Sequence, residues 1–163
     1  MIAFMYETEG RVQTLIIGPE AKGPLRTVTS VRAVAGRGLA GDRYYFGKGS
    51  FNAPQFDPNV REVTLIAAEA IAECNARLDR ALQPADFRRN IVTEGIDLAL
   101  LKGKRFRVGG AVLRCVRTAP PCRYLARLTG EDMMKGLKGI GGIRAVIEEG
   151  GEISAGDGIH VLP

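Results

Sequence analysis

The run Arg105-Phe106-Arg107-Val108-Gly109-Gly110-Ala111-Val112-Leu113-Arg114-Cys115-Val116-Arg117 decides the fold class. In its first arm arginine alternates with an apolar residue, the period of a strand with one face in a core. In its second arm Leu113 and Cys115 share a side and Arg114 takes the other. Gly109-Gly110 between them suits a tight hairpin turn. Outward from this hairpin the same pattern repeats. Residues 11–17 read as a strand stopped by Gly18-Pro19, and 26–34 as another, rich in Val and Thr. Further strands fall at 61–66, 90–93, 143–147 and 159–162, the last two joined through Gly150-Gly151 and Gly156-Asp157-Gly158. The 21 glycines mostly punctuate such runs, as a chain with many tight turns requires. A helix is expected over 67–82, where Ala67, Ile71, Cys74 and Leu78 form an apolar stripe. Glu69 and Glu73 lie early in it, Arg77 and Arg80 late, which suits the macrodipole. A short helix after Pro120-Pro121 would turn Leu125 and Leu128 inward. The expected class is mainly β with a few helices (α+β). Residues 1–163 contain neither a repeat nor a linker long enough to divide them, so a single domain is expected.

Composition narrows the function. The 163 residues are 45% hydrophobic and 25% charged, with mean hydropathy −0.01, so a packed core is expected rather than disorder. No run approaches the roughly 18 apolar residues of a membrane span. The first nine residues lack a basic segment and turn acidic, which argues against a secretory signal. An odd count of three cysteines then suggests reduced thiols in the cytoplasm. With one histidine, a His-rich metal site is excluded.

The net charge of +5 is unevenly spread. Eight basic residues and no acidic one lie in 98–130: Lys102, Lys104, Arg105, Arg107, Arg114, Arg117, Arg123 and Arg127. Either they form a solvated face, or they line a pocket for a small anion, for which arginine is the better residue. Nucleic acid is not expected, because no recognition helix, zinc module or aromatic RNA-binding signature accompanies the charge.

Two motifs mislead. Gly36-Arg37-Gly38-Leu39-Ala40-Gly41 matches a dinucleotide fingerprint, but no helical stripe follows it, so its glycines are expected to serve a tight loop. Gly139-Ile140-Gly141-Gly142 is too short to be a cofactor loop by itself. Residues 44–58, with two glycines, two prolines and five aromatics, read as an irregular excursion that could cover a site. His160, in the last strand, reads as structural.

The cysteines differ. Cys74 lies on the helix stripe and Cys115 inside a strand, so both should be packed. Cys122 follows Pro120-Pro121 and stands between Arg117 and Arg123. A helix start and neighbouring guanidinium groups both favour thiolate over thiol. It is either a half-buried turn cysteine or a thiolate that attacks, carries sulfur or binds a soft metal.

Six pieces in order form a family pattern. They are Gly38-Leu39-Ala40-Gly41-Asp42-Arg43, Val63-Thr64-Leu65, Arg88-Arg89-Asn90-Ile91, the 101–109 run Leu101-Lys102-Gly103-Lys104-Arg105-Phe106-Arg107-Val108-Gly109, Pro121-Cys122, and the 151–157 run from Gly151-Glu152-Ile153 to Gly156-Asp157. Together they resemble the MOSC family, named for the C-terminal domain of molybdenum cofactor sulfurase, from about residue 11 to 163. The resemblance implies a fold built around a β-barrel, here as a stand-alone domain.

It also implies a chemistry. Family members such as the mitochondrial amidoxime-reducing component, and bacterial proteins that reduce N-hydroxylated bases, bind molybdenum cofactor, and the cysteine matching Cys122 ligates the metal. Arg88 and Asn90 match the family's R-x-N motif, and Arg43 follows its Gly-Asp pair. The resemblance therefore implies that Arg43, Arg88, Asn90 and Arg144 bind the molybdopterin, with Arg88 and Arg144 on its phosphate and Asn90 giving amide hydrogen bonds. Asp42 is expected to brace its loop, and the alternative for Arg43 is a mutual turn-stabilising pair with Asp42. Tyr44 stands where many relatives have histidine, which argues against a histidine-dependent step.

The leading expectation is a molybdenum-cofactor enzyme reducing N-hydroxylated small molecules, with electrons from a separate donor. One alternative is a sulfur carrier, taking a persulfide on Cys122 from a pyridoxal-phosphate cysteine desulfurase; pyridoxal phosphate enters by family association only. Another is a non-catalytic cofactor carrier or binding module.

Overall fold

The computed structural model describes residues 9–55, 57–121, 130 and 132–163, with Phe51 in its backbone alone. The expected 120s helix with Leu125 and Leu128, and Cys122, Arg123 and Arg127, lie outside the described residues.

Strands are β1 (Glu9–Ile17), β2 (Arg26–Val28), β3 (Ser30–Val34), β4 (Gly38–Leu39), β5 (Val63–Ala67), β6 (Ile91–Glu94), β7 (Arg105–Val108), β8 (Ala111–Thr118), β9 (Ile143–Glu149), β10 (Gly151–Ser154) and β11 (Gly158–Val161). Helices are α1 (Ala68–Leu78) and α2 (Met133–Gly136). The order β11-β7-β8-β9-β5-β6-β1 closes on itself through β1–β11, giving a seven-stranded barrel to which β2 adds along β1. Strands β10, β3 and β4 form a second, small sheet. Neighbours in the barrel run antiparallel except β5 and β6. A parallel pair needs a crossover, and α1 supplies it.

The hairpin forms as its pattern dictates. Phe106, Val108, Leu113 and Cys115 point into the barrel with no exposed surface. They meet Val12, Leu65, Ile91, Ala145 and Ile159 from the other strands. Outside the wall, Ile16, Ile66 and Val92 pack against Ala70, Ile71 and Cys74 of α1 and Met133 and Leu137 at α2. Position 136 must be glycine-sized, because a Cβ there would come within 2.6 Å of Cys74 Sγ.

Several expected boundaries shift. The 26–34 strand is two strands, because β2 pairs with β1 and β3 pairs with β10. The helix ends at Leu78, not 82, because Asp79 turns left-handed and the Asn75 side chain both donates to Leu82 O and accepts from its N–H. The joint between the last two predicted strands contains β10. Gly36, Gly38 and Gly41 all have positive φ, as the tight-loop reading requires. Among the described residues, no helix is long and apolar enough to cross a membrane.

Candidate functional site

Strands β5 and β6 end, and β9 begins, at one mouth of the barrel, beside the end of β8. A cavity of about 1130 Å³ opens there. Its apolar wall includes Ala67, Ile96, Leu98, Ala119, Ile140 and Ile143. That volume exceeds the usual range for small-molecule sites. Thr118, Ala119 and Pro120, which lead into Cys122, form part of the same wall.

The glycine run 139–142 forms the facing part. Gly142, at φ +97°, passes so close to the Leu65 carbonyl that no side chain would fit. Arg89 ties the two segments together. Its guanidinium, only 8% exposed, donates from Nε to Gly141 O at 3.0 Å and from Nη2 to Ala119 O at 2.9 Å. Sequence reasoning passed over Arg89 because it weighted the first and third residues of the R-x-N run. The signal available was the glycine run, whose bare backbone needs an external donor.

None of the predicted cofactor residues lines the cavity: Arg144 follows Ile143 of its wall, whereas Arg43 and Arg88 lie by Gly18 and Gly23, past the end of β1 opposite to Glu9, Gly10 and Arg11. Arg144 of β9 sits opposite Thr64 of β5, and its Nη1 donates to Val60 O at 3.2 Å. Thr64 donates to Asn90 Oδ1 from its N–H at 3.1 Å and from its hydroxyl at 3.2 Å. Asn90 Nδ2 donates to Ile16 O at 3.2 Å. The Asn90 side chain thus locks β1 to β5 and the start of β6. Arg88 has a left-handed backbone at φ 55°, a conformation that costs a non-glycine residue about 1 kcal/mol or more. Its Nη1 donates to Gly23 O at 3.0 Å. Arg43 reaches the Arg88 carbonyl through Nη2 at 3.5 Å and stacks 5.1 Å over the Tyr44 ring. Arg117 of β8 lies directly opposite Arg144.

Asp42, fully buried, holds the Arg43 corner together. Its carboxylate accepts from Arg43 Nη1 at 2.9 Å, Gly18 N at 3.2 Å and Tyr44 N at 3.3 Å. This is the bracing role expected from sequence. None of the described residues in 44–58 lines the cavity; Tyr44 is buried, and Arg61 donates to Ala53 O at 3.0 Å.

The basic window resolves into different surroundings. Glu148 of β9 accepts from Arg105 at 2.5 Å and Arg114 at 3.1 Å. The Arg105 hydrogen bond, outweighing desolvation and helped by Arg114, holds the Glu148 carboxyl below the usual range. Arg107 and Arg117 remain on the surface. His160 is exposed on β11, 3.8 Å from Glu9.

Cys74 and Cys115 are completely buried, and desolvation pushes both thiols up. Neither is suited to act as a thiolate ligand. Among the described residues no group of His, Cys, Asp and Glu side chains could hold a metal ion by itself.

The comparisons agree with this architecture. The YuaD protein from Bacillus subtilis superposes with a TM-score of 0.79 at 20% identity, covering 94% of this chain and 95% of its own. YiiM from Geobacillus stearothermophilus gives 0.68 at 15% identity, covering 94% and 75%. YiiM from Escherichia coli gives 0.65 at 17%, covering 94% and 70%. At these identities the likeness establishes the fold. No curated protein matches the chain. The MOSC domain model matches residues 35–160, a span that holds Arg43, Arg88, Arg144, Cys122 and the cavity wall apart from Glu9, Gly10 and Arg11, and on that match this chain belongs to the MOSC domain family.

Proposed function

We propose that the protein binds molybdenum cofactor with Cys122 as the protein ligand to molybdenum, and reduces N-hydroxylated small molecules in the adjoining cavity. The observation that carries this reading is the course of 118–120. That segment forms part of the cavity wall, and Cys122 follows two residues later in the sequence. The donor chemistry fits the group. Arg88, Arg144 and Arg117 supply guanidinium groups, the side chains best suited to a phosphate, and Arg43, already paired with Asp42, bonds the Arg88 carbonyl. Asn90 acts as a positioning residue, since its amide ties β1 to β5, the strand paired with the one that carries Arg144.

When bound, the cofactor would supply two-electron oxygen-atom chemistry. The net reaction removes the N-hydroxyl oxygen: R–NH–OH, two electrons and two protons give R–NH2 and water. A separate redox protein is the electron source. The residues of this chain bind the phosphate, fix the metal through a soft thiolate, and seat the substrate against an apolar wall that limits water.

The test uses protein made in a host that synthesises molybdenum cofactor. Benzamidoxime and a reduced viologen are supplied, and benzamidine is measured. Conversion by the parent and its loss in Cys122→Ser are expected. Bound molybdenum without conversion would make the protein a carrier. A mass gain of one sulfur on Cys122 after incubation with a desulfurase, with no molybdenum bound, would replace this reading with sulfur transfer.

A further inference from the structure

Strands β8 and β9 separate just before the sequence reaches Cys122. Thr118 still pairs with Ile143, and Ala119 N donates to Gly142 O at 2.8 Å as a last rung. Pro120 and Pro121 have no N–H, so neither can add another. Arg89 supplies donors in their place. Its buried guanidinium spans the two segments, with Nε on Gly141 O at 3.0 Å and Nη2 on Ala119 O at 2.9 Å. A planar fork of fixed donors suits two acceptors on different segments, and the point charge of a lysine does not replace it. The two backbones also touch: a Cβ on Gly141 would come within 2.3 Å of the Ala119 carbonyl oxygen. Arg89 is anchored through both neighbours, with Arg88 N donating to Ala85 O at 3.1 Å and Asn90 N to Thr64 Oγ1 at 3.0 Å. Arg77 of α1 is a different kind of brace. It donates to Gly136 O at 3.2 Å and Lys138 O at 2.9 Å, and both acceptors lie on one segment.

We infer that Arg89 is a positioning residue for the proposed reaction, an assignment that rests on Cys122 being the molybdenum ligand. Its guanidinium clamps the 118–120 segment, from which the sequence continues to Cys122, against the glycine run 139–142. A ligand side chain binds a metal well only when the backbone that carries it is fixed beforehand. The two prolines remove the ladder that would otherwise fix this backbone, and Arg89 restores the constraint from a third segment.

Hydrogen exchange at the Ala119 amide, measured on cofactor-free 15N-labelled protein, reads the clamp directly. Arg89→Met removes both donors, and Gly141→Ala pushes the Ala119 carbonyl away without touching Arg89. Each should speed that exchange by about tenfold or more, while the β7–β8 hairpin keeps the parent's protection. Arg89→Lys should fall between. Arg77→Met loses its bonds to the same glycine-rich run and should leave Ala119 at the parent's rate. The same variants, purified from a host that makes molybdenum cofactor, give the second readout. Molybdenum content should drop about tenfold in Arg89→Met and Gly141→Ala, recover in part in Arg89→Lys, and stay at the parent's level in Arg77→Met. Should Arg89→Met fail to fold, Gly141→Ala and Arg89→Lys carry the test. Parental exchange at Ala119 in Arg89→Met and Gly141→Ala would overturn the clamp. Faster exchange with parental molybdenum would overturn the positioning role, as would an equal loss of molybdenum in Arg77→Met. A parent empty of molybdenum would overturn the reading of Cys122 and this role with it. The exchange at Ala119, read without cofactor, tells that failure from a failure of the clamp.

Discussion

Asp42 joins fold to site at the scale of one residue. It is fully buried, and its partners are one guanidinium and two backbone N–H groups. Asp42→Ala would leave Arg43 buried without its counter-charge and is expected to cost about 3–5 kcal/mol in denaturant unfolding. Asp42→Asn keeps an acceptor and should cost less. Equal stability of the alanine variant would mean the pair is incidental. The thiols give a second prediction. Burial pushes up the thiols of Cys74 and Cys115 and shields them, so both should alkylate slowly in the native protein, whereas Cys122 should label first. Rapid native labelling of Cys115 or Cys74, read by peptide mapping, would contradict this. The burial of both was legible, because each lay on an apolar stripe. The division of labour within Arg88-Arg89-Asn90 was not. A three-residue run has no periodicity, and which side chain faces which carbonyl is set by segments far away in sequence.

Elements were legible where the local pattern alone decides them. The hairpin about Gly109-Gly110 and the stripe of α1 formed as the alternation and the i, i+4 spacing require. Strand β10 was missed because Gly151-Glu152-Ile153-Ser154 contains a single apolar anchor, and its pairing with β3 is a tertiary event. Glu62 makes the junction of β5 and β9 testable. Its carboxylate accepts from Ile147 N at 2.8 Å, and desolvation, partly opposed by hydrogen bonds from Ile147 and Gly36, raises its pKa. A raised acid binds its proton more tightly in the folded state. Its stabilising contribution is therefore full below the ordinary carboxylate pKa and is lost as pH rises through the raised value. Glu62→Gln keeps an acceptor and drops the charge. It should melt higher than the parent at neutral pH, and the gain should vanish near about pH 4. A variant less stable than the parent at neutral pH would show that the charged form is the favoured one.

At the scale of the whole molecule, composition implied a β-rich domain, and the closed barrel came only with the family pattern. Closure depends on β1 meeting β11, residues about as far apart in the chain as any, and no local signal encodes it. The same closure collects 94–99, 118–120 and 139–143 around one mouth. Cys122 stood out in sequence because it follows two prolines among arginines, and the role proposed for it rests on the wall that Thr118, Ala119 and Pro120 help to form. The account rests on that thiol serving a cofactor beside the cavity. The most direct test is the molybdenum content of parent, Cys122→Ser and Cys74→Ser proteins purified from a host that makes the cofactor, with folding checked by circular dichroism. The account predicts stoichiometric molybdenum in the parent, near none in folded Cys122→Ser, and parental loading in whatever fraction of Cys74→Ser folds. Full loading of Cys122→Ser, or a parent empty of metal and pterin from that host, would contradict it.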